Sequence, residues 1–174
     1  MGKVILYVAQ SLDGYIAREN GAVDWLSFIE GEDYGFHKFF DEVSVVFLGN
    51  TTYNQVLTFE GEFPYKSKDV FVFTRDNSKY KDENVQFIAS KVGEYTKKIK
   101  NKAKGPCWLV GGGQITSYFL ENHLLDEIRL FTIPILLGSG IPLFNKINNE
   151  SKVKLIKNTE FKTGVIESVY QIIE

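Results

Sequence analysis

The sequence predicts an α/β protein built on a mixed, mainly parallel sheet, and three observations predict it. Short apolar runs of strand length alternate with segments of helical period along most of the chain. Polar or glycine residues, among them Gln10, Gly49, Thr74 and Gly111, stand at the carboxyl ends of those runs, where open α/β sheets bind ligands. The C-terminal segment breaks the alternation: Val153 to Glu160 and Val165 to Ile173 read as two strands joined near Lys162-Thr163-Gly164, an antiparallel edge hairpin.

Taken in order, Lys3 to Ala9 is nearly all apolar and reads as a buried strand, left by the turn Ser11-Leu12-Asp13-Gly14. A loop with Gly21, Asp24 and Trp25 follows. From about Glu32 to Glu42, Phe36, Phe39, Phe40 and Val43 fall at helical spacing. Ser44 to Leu48 is a second buried strand closed by Gly49, after which Asn50 or Thr51 is suited to cap a short helix through Val56. Phe59 to Lys68 is a loop. Asp69 to Phe73 forms a third strand, followed by Thr74-Arg75 and a polar turn, and Val85 to Ala89 a fourth. Ser90 is the cap expected for a lysine-rich helix to about Ala103, whose final cations suit a helix C-terminus. Pro106 to Val110 is a fifth strand, leading through three glycines into a helix to Asn122. Asp126 to Ile133 is a sixth, closed by Pro134.

The chain of 174 residues fits one domain spanning 1–174. With 44% hydrophobic and 24% charged residues, it has the balance of an ordinary globular protein rather than a disordered or repetitive one. A net charge of −2 gives no electrostatic basis for nucleic-acid binding, so a phosphate ligand must be held by a few local cations and backbone donors. Cys107 is the one cysteine and lies in an apolar strand, which excludes an internal disulfide and reads as a buried thiol. His37 and His123 are not spaced as metal ligands, and no metal is expected. No signal-peptide pattern and no run of membrane-spanning length occurs, so a cytoplasmic protein without membrane contact is expected.

The residues that carry chemistry cluster at strand-to-helix junctions. Gly111, Gly112 and Gly113 follow Cys107-Trp108-Leu109-Val110, and let a ligand approach a backbone free of Cβ atoms at the start of a helix. The same glycines can simply pack a helix closely. They fit neither the dinucleotide fingerprint, since Thr116 breaks its spacing, nor a Walker loop, since no Gly-Lys-Ser/Thr follows. Gly49-Asn50-Thr51-Thr52-Tyr53 offers N–H groups and hydroxyls at a second junction, and Thr74-Arg75 offers a forked cation at a third. Among the acids, Asp13 reads as a turn residue and Asp24 as a loop or cap residue. Asp33 opens the first helix, and can also face a cleft beside the first strand as proton donor or substrate anchor.

Six pieces in this order, Ser-Leu-Asp-Gly-Tyr-Ile-Ala, Phe-Leu-Gly-Asn-Thr-Thr-Tyr, Phe-Thr-Arg, Val-Gly-Gly-Gly-Gln, Asp-Glu-Ile-Arg-Leu and Pro-Ile-Leu-Leu-Gly-Ser-Gly-Ile-Pro-Leu-Phe, span nearly the whole chain. Together they resemble the dihydrofolate-reductase-like superfamily. More narrowly they resemble the riboflavin-biosynthesis reductase (RibD C-terminal domain) family, of which the chain looks like a stand-alone member. The resemblance implies a three-layer fold, a homodimer, and NADPH lying across the strand ends. Ala9 and Ile16 would border the nicotinamide, Gly49, Thr51 and Thr52 would reach phosphates, and Thr74 and Arg75 would hold the 2′-phosphate. Gly112, Gly113, Gln114 and Ile115, with Gly111 beside them, would hold the pyrophosphate, and Gly138-Ser139-Gly140 would complete that wall. The implied reaction is hydride transfer to a C=N or C=O carbon of a small heterocyclic or sugar-amine substrate, as in 5-amino-6-(5-phosphoribosylamino)uracil reductase.

Two departures sharpen this. Asn50 stands where many members of the family carry arginine, which takes a cation from the 2′-phosphate site and weakens preference for NADPH over NADH. The zinc deaminase signature is absent, so this chain is not the bifunctional enzyme. Two alternatives stand beside the leading reading: a true dihydrofolate reductase with Asp33 anchoring the pterin, and a noncatalytic nucleotide-binding or sensing protein.

Overall fold

The structure is a computed structural model and describes residues 2–29, 31–76 and 81–173. The polar turn expected after Arg75 falls largely on residues 77–80, outside the described residues. In chain order the elements are β1 (Val4–Ser11), β2 (Tyr15–Ala17), a 3₁₀ turn (Asp24–Ile29), α1 (Phe36–Glu42), β3 (Val45–Gly49) and α2 (Asn50–Val56). They continue with β4 (Asp69–Phe73), β5 (Gln86–Ile88), α3 (Val92–Lys102), β6 (Cys107–Gly111) and α4 (Gly113–Glu121). The chain then runs through β7 (Glu127–Ile133), β8 (Ile141–Pro142), β9 (Lys152–Glu160) and β10 (Ile166–Ile173).

Eight strands form one sheet in the order β5-β4-β3-β6-β1-β7-β10-β9. The pairs from β5 through β7 are parallel, and the C-terminal hairpin adds β10 and β9 antiparallel. Parallel neighbours require crossovers, which α1 to α4 supply. The central parallel strands are buried on both faces, as their apolar runs require, whereas the edge strand β9 is exposed. Val4, Leu6, Val45, Phe47, Cys107 and Leu109 point to the side where α4 packs Phe119 and Leu120. Their neighbours Ile5, Val46, Leu48 and Trp108 point to the side where Phe39 of α1 and Tyr53 and Val56 of α2 lie. Alternation with a period of two thus produces three layers, helix, sheet and helix. Cys107 is fully buried, and burial pushes its thiol up to about 11, so it is a packing residue and not a nucleophile.

Several local expectations need correction. Neither Asn50 nor Thr51 caps α2: extended Gly49 holds the N-cap position without any side-chain cap, and both residues lie inside the helix. Ser90 does not cap α3 either, because Lys91 stands there in the left-handed conformation at φ 50°. The first helix starts at Phe36 rather than near Glu32, because Gly35 at φ 78° turns the chain just before it. The sequence reading also missed β2 and β8, which pair with each other outside the main sheet. At two or three residues each, they are too short to show any period.

Among the described residues no helix is long and apolar enough to cross a membrane, and none form a cluster of three or more His, Cys, Asp or Glu side chains able to hold a metal.

Candidate active site

The strand order brings the predicted junctions side by side. Within adjacent parallel strands Gly49 is in register with Phe73, and Leu48 with Gly111. The ends of β4, β3 and β6 therefore form one edge that carries Thr74-Arg75, Gly49 to Thr52 and Gly111 to Ile115. The two glycine junctions touch: the Gly112 N–H donates to Thr52 Oγ1 at 2.9 Å, leaving the Thr52 O–H free to donate elsewhere. The Gly111–Gly112 peptide is cis.

Each glycine in this wall has a different reason to be glycine. Gly111 sits at φ 116°, a conformation side chains resist. A Cβ on Gly113 would lie 2.6 Å from the Pro142 carbonyl oxygen, so this residue lets α4 pack against β8. A Cβ on Gly49 would lie 3.3 Å from Ile115 Cγ2, and one on Gly112 would lie 3.3 Å from Thr52 Oγ1. Ile115 is thus half-buried against the β3 junction, whereas Gln114 is exposed. Thr74 is buried and its Oγ1 accepts from the Asp76 N–H at 3.0 Å, a tight turn that leaves Arg75 exposed. Asn50 Oδ1 is buried with no hydrogen-bond partner among the described residues. Thr51 faces a second cleft of about 340 Å³ between α2 and residues 20–23, bridged where Gln55 Nε2 donates to the Gly21 carbonyl at 2.6 Å.

Beside this wall, on the other flank of β1, lies a pocket of about 290 Å³ lined by Tyr7, Ala9, Leu26, Asp33, Tyr34, Phe36, Phe131 and Val165. It joins two sequence-predicted residues, Ala9 and Asp33, that are 24 positions apart. Ile16 is placed otherwise: it sits on β2, half-buried against the core on the α4 side. The pocket walls are aromatic. Tyr7 lies 4.7 Å from Phe131 and 5.9 Å from Phe36 between ring centroids. Burial, with the Glu167 and Asp33 charges, pushes the Tyr7 phenol far above its ordinary range, so it stays protonated and donates to the Tyr34 carbonyl at 3.3 Å.

Asp33 is exposed at the rim. Its Oδ1 accepts from the His37 backbone N–H at 3.0 Å and pairs with the His37 ring. That backbone donor, and then the histidine, hold its carboxyl below the usual range. Asp33 is therefore a carboxylate at neutral pH, which suits an anchor for N–H groups better than a resident proton donor. Trp25 is 3% exposed beneath this pocket, its Nε1 without a hydrogen-bond partner among the described residues.

One functional arrangement escaped the sequence reading. Asp13 does more than turn the chain: it accepts from Ser11 Oγ at 2.6 Å, from the Leu137 N–H at 3.1 Å and from the Gly138 N–H at 2.7 Å. Gly140 presses directly on the Ala17 carbonyl, and the Asn145 N–H donates to Ser117 Oγ at 2.9 Å. The Leu-Leu-Gly-Ser-Gly-Ile-Pro-Leu-Phe segment is thus a clasp running from the β1–β2 turn to α4, in which close packing requires glycine at Gly140 and a φ of 78° favours it at Gly138. The Ser-Leu-Asp-Gly turn and this segment were both visible, but nothing in either showed that they bind each other.

Comparison with known proteins bears on family and fold. The sequence model of the RibD C-terminal domain matches residues 2–166. YwjB of Bacillus subtilis (strain 168), an uncharacterized protein, is 40% identical over 164 residues, covering 94% of each chain. In structure, the chain is similar to a Shewanella sp. PV-4 protein assigned to riboflavin biosynthesis, with a TM-score of 0.88, 28% identity and full coverage of both chains. The Thermotoga maritima diaminohydroxyphosphoribosylaminopyrimidine deaminase/5-amino-6-(5-phosphoribosylamino)uracil reductase aligns at TM-score 0.75 and 19% identity, over 99% of this chain and 57% of that one. Enterococcus faecalis dihydrofolate reductase complexed with NADP(H) aligns at TM-score 0.71 and 17% identity, over 99% and 98% of the two chains. Those last two likenesses are of fold; the match of the sequence model and the identity to YwjB carry the assignment, and the chain belongs to the RibD C-terminal domain family.

Proposed function

We propose that the protein is an NADPH-dependent reductase that transfers hydride to a C=N or C=O carbon of a small heterocyclic or sugar-amine substrate. The observation that carries this reading is the adjacency of the two halves of the site. A glycine-lined edge with an exposed arginine ends three neighbouring strands, and an aromatic pocket with one carboxylate opens beside Ala9 on β1. The chain's residues fit the cofactor. Gly112 and Gly49 leave space that a Cβ would fill, Thr52 keeps an O–H to donate, and exposed Arg75 can fork onto a phosphate. When bound, the cofactor supplies the hydride. Gly49, Asn50, Thr51, Thr52 and Gly111 to Ile115 would hold its phosphates, Thr74 and Arg75 its 2′-phosphate, and Ala9 would border its nicotinamide. Asp33 would orient the substrate ring by accepting its N–H groups.

Titration with NADPH, followed by quenching of Trp25 and Trp108 fluorescence, tests the reading. Saturable binding at micromolar concentration is expected, and absence of binding by either nicotinamide cofactor overturns it. Asp33 in an aromatic pocket also suits dihydrofolate. Turnover of dihydrofolate that is lost in Asp33→Asn would establish that reaction instead.

The same reading has the protein act as a single-domain cytoplasmic homodimer. Support for the dimer comes from the edge strand β9, where Val153, Leu155 and Ile156 are 45%, 53% and 55% exposed among lysines, apolar side chains that a second copy would cover. Light scattering that gives a strict monomer refutes the dimer.

A further inference from the structure

We propose that the Tyr7 hydroxyl is the pocket's catalytic hydrogen-bond donor, directed at the oxygen or nitrogen of the C=O or C=N group whose carbon takes the hydride. This rests on the reductase reading and fills a role it leaves open, since ionised Asp33 has no proton to offer. The reduction needs such a donor. The carbon accepts hydride from the nicotinamide, which is oxidised, and a C–H bond forms. The π pair of the C=O or C=N bond moves onto the heteroatom, and water at the exposed rim supplies the proton that completes the alcohol or amine. A preorganised donor at that heteroatom acts on the negative charge as it develops.

Among the described residues, two of the side chains lining the pocket carry a hydroxyl, Tyr7 and Tyr34. The Tyr34 hydroxyl is already committed, donating to Thr163 Oγ1 at 3.0 Å in the β9–β10 turn. Tyr7 is placed differently. It precedes Ala9 by two positions on β1, so the two side chains stand on one face of the sheet and line the same pocket. Its ring is fixed by stacking on Phe39 at 4.4 Å and by edge contact with Trp108 at 6.3 Å between centroids, which holds the hydroxyl in place. The acceptor it now has, the Tyr34 carbonyl, lies at 3.3 Å, beyond the roughly 2.5–3.0 Å usual for an O–H···O bond. A substrate oxygen or nitrogen that comes closer takes that donor over. Burial, with the Glu167 and Asp33 charges, keeps the phenol protonated, so it shares its proton with the developing anion and does not surrender it.

The test follows benzaldehyde, one flat ring with one carbonyl, labelled with ¹³C at that carbonyl and bound to the full chain with and without saturating NADP⁺. Isotope-edited infrared spectroscopy reads the carbonyl stretch, and calorimetry reads the affinities. In the natural chain the stretch is expected to fall below that of the aldehyde in an apolar solvent. In Tyr7→Phe, which keeps the stacked ring, it is expected to return to the higher frequency. Benzaldehyde binding should weaken there by about 2- to 10-fold, with NADP⁺ affinity unchanged. Tyr34→Phe, which loses only the contact to Thr163, is expected to keep the lowered stretch. A hydroxyl that merely ties β1 to the Tyr34 carbonyl would lower the stability of Tyr7→Phe and leave the stretch where it was. An equal stretch in the natural chain and Tyr7→Phe overturns the proposal, as does undetectable benzaldehyde binding, or a lowered stretch that Tyr34→Phe alone abolishes. A stretch lowered by Tyr7 in a chain that binds no NADP⁺ would instead sink the reductase reading while the donor assignment stood, so the two failures are distinct.

Discussion

The wall at the ends of β3, β4 and β6 is made of backbone, whereas the pocket beside β1 is made of side chains, and the two differ in how they tolerate change. In the wall, missing Cβ atoms do the work: Gly113 lets α4 meet β8, Gly112 meets Thr52, and Gly111 takes a φ of 116°. In the pocket, rings set the shape and one carboxylate sets the polarity. The wall is therefore restricted in sequence, because its glycines are fixed by backbone conformation and close contacts. The pocket can change its substrate by exchanging a few side chains, with the wall left as it is.

The comparison breaks most visibly at Gly113. Gly113→Ala puts a methyl 2.6 Å from the Pro142 carbonyl, and such overpacking is expected to cost about 1–3 kcal/mol, read by chemical denaturation. Gly112→Ala brings its methyl only to 3.3 Å from Thr52 Oγ1, a side-chain atom able to move. It is expected to leave stability nearly unchanged and to weaken NADPH binding. Equal stability losses in both variants would show that the wall is not divided into packing and binding positions.

The same contrast explains what was legible in the sequence. Gly49 to Thr52, Thr74-Arg75 and Gly111 to Ile115 are short contiguous runs at strand ends, so the chain itself displays them, and alternating strands and helices displayed the layers. The pocket is assembled from β1, the 3₁₀ turn, α1, β7 and the turn before β10. Of its lining only Ala9 and Asp33 were singled out, because Phe131 and Val165 look like any core residue until the strand order is known. The clasp was hidden for the same reason: Asp13 and Gly138 are 125 positions apart. Capping was misread because Asn50, Thr51 and Ser90 have the right chemistry, while backbone conformation at Gly49 and Lys91 decided the helix starts.

Within the wall, the largest effect on the ligand is expected at Arg75. Arg75→Ala removes an exposed guanidinium. A lost charge-assisted contact of about 1.5–3 kcal/mol weakens NADPH binding by about 10- to 100-fold, with NADH nearly unaffected. Calorimetry with both cofactors checks the difference, and equal losses would move the 2′-phosphate elsewhere. Asn50→Arg should work in the opposite direction and by less, raising the preference for NADPH by about tenfold. It replaces a buried oxygen that has no hydrogen-bond partner among the described residues. An unchanged ratio of the two affinities would show that position 50 does not face the 2′-phosphate.

The smallest effect is expected behind the wall, where α2 is pinned from its far side. The Tyr53 hydroxyl donates to Asp82 Oδ2 at 2.5 Å, and this bond, with the Asn84 backbone N–H, holds the Asp82 carboxyl below its ordinary range. Burial pushes the Tyr53 phenol up to about 12, so it remains a donor throughout the neutral range. Tyr53→Phe should cost about 1 kcal/mol at neutral pH. A carboxyl whose pKa is lowered by folding stabilises the fold above its unfolded value, near 3.9, and that contribution disappears as pH falls through the lower folded value. The stability gap between the natural chain and Tyr53→Phe should therefore be full at pH 7 and shrink below about pH 4. Denaturation midpoints measured from pH 7 to pH 3 would show this. No gap at any pH would mean that the tyrosine contributes by packing against Phe63 and Phe87, and that the back of the wall, like the pocket, is held by its rings.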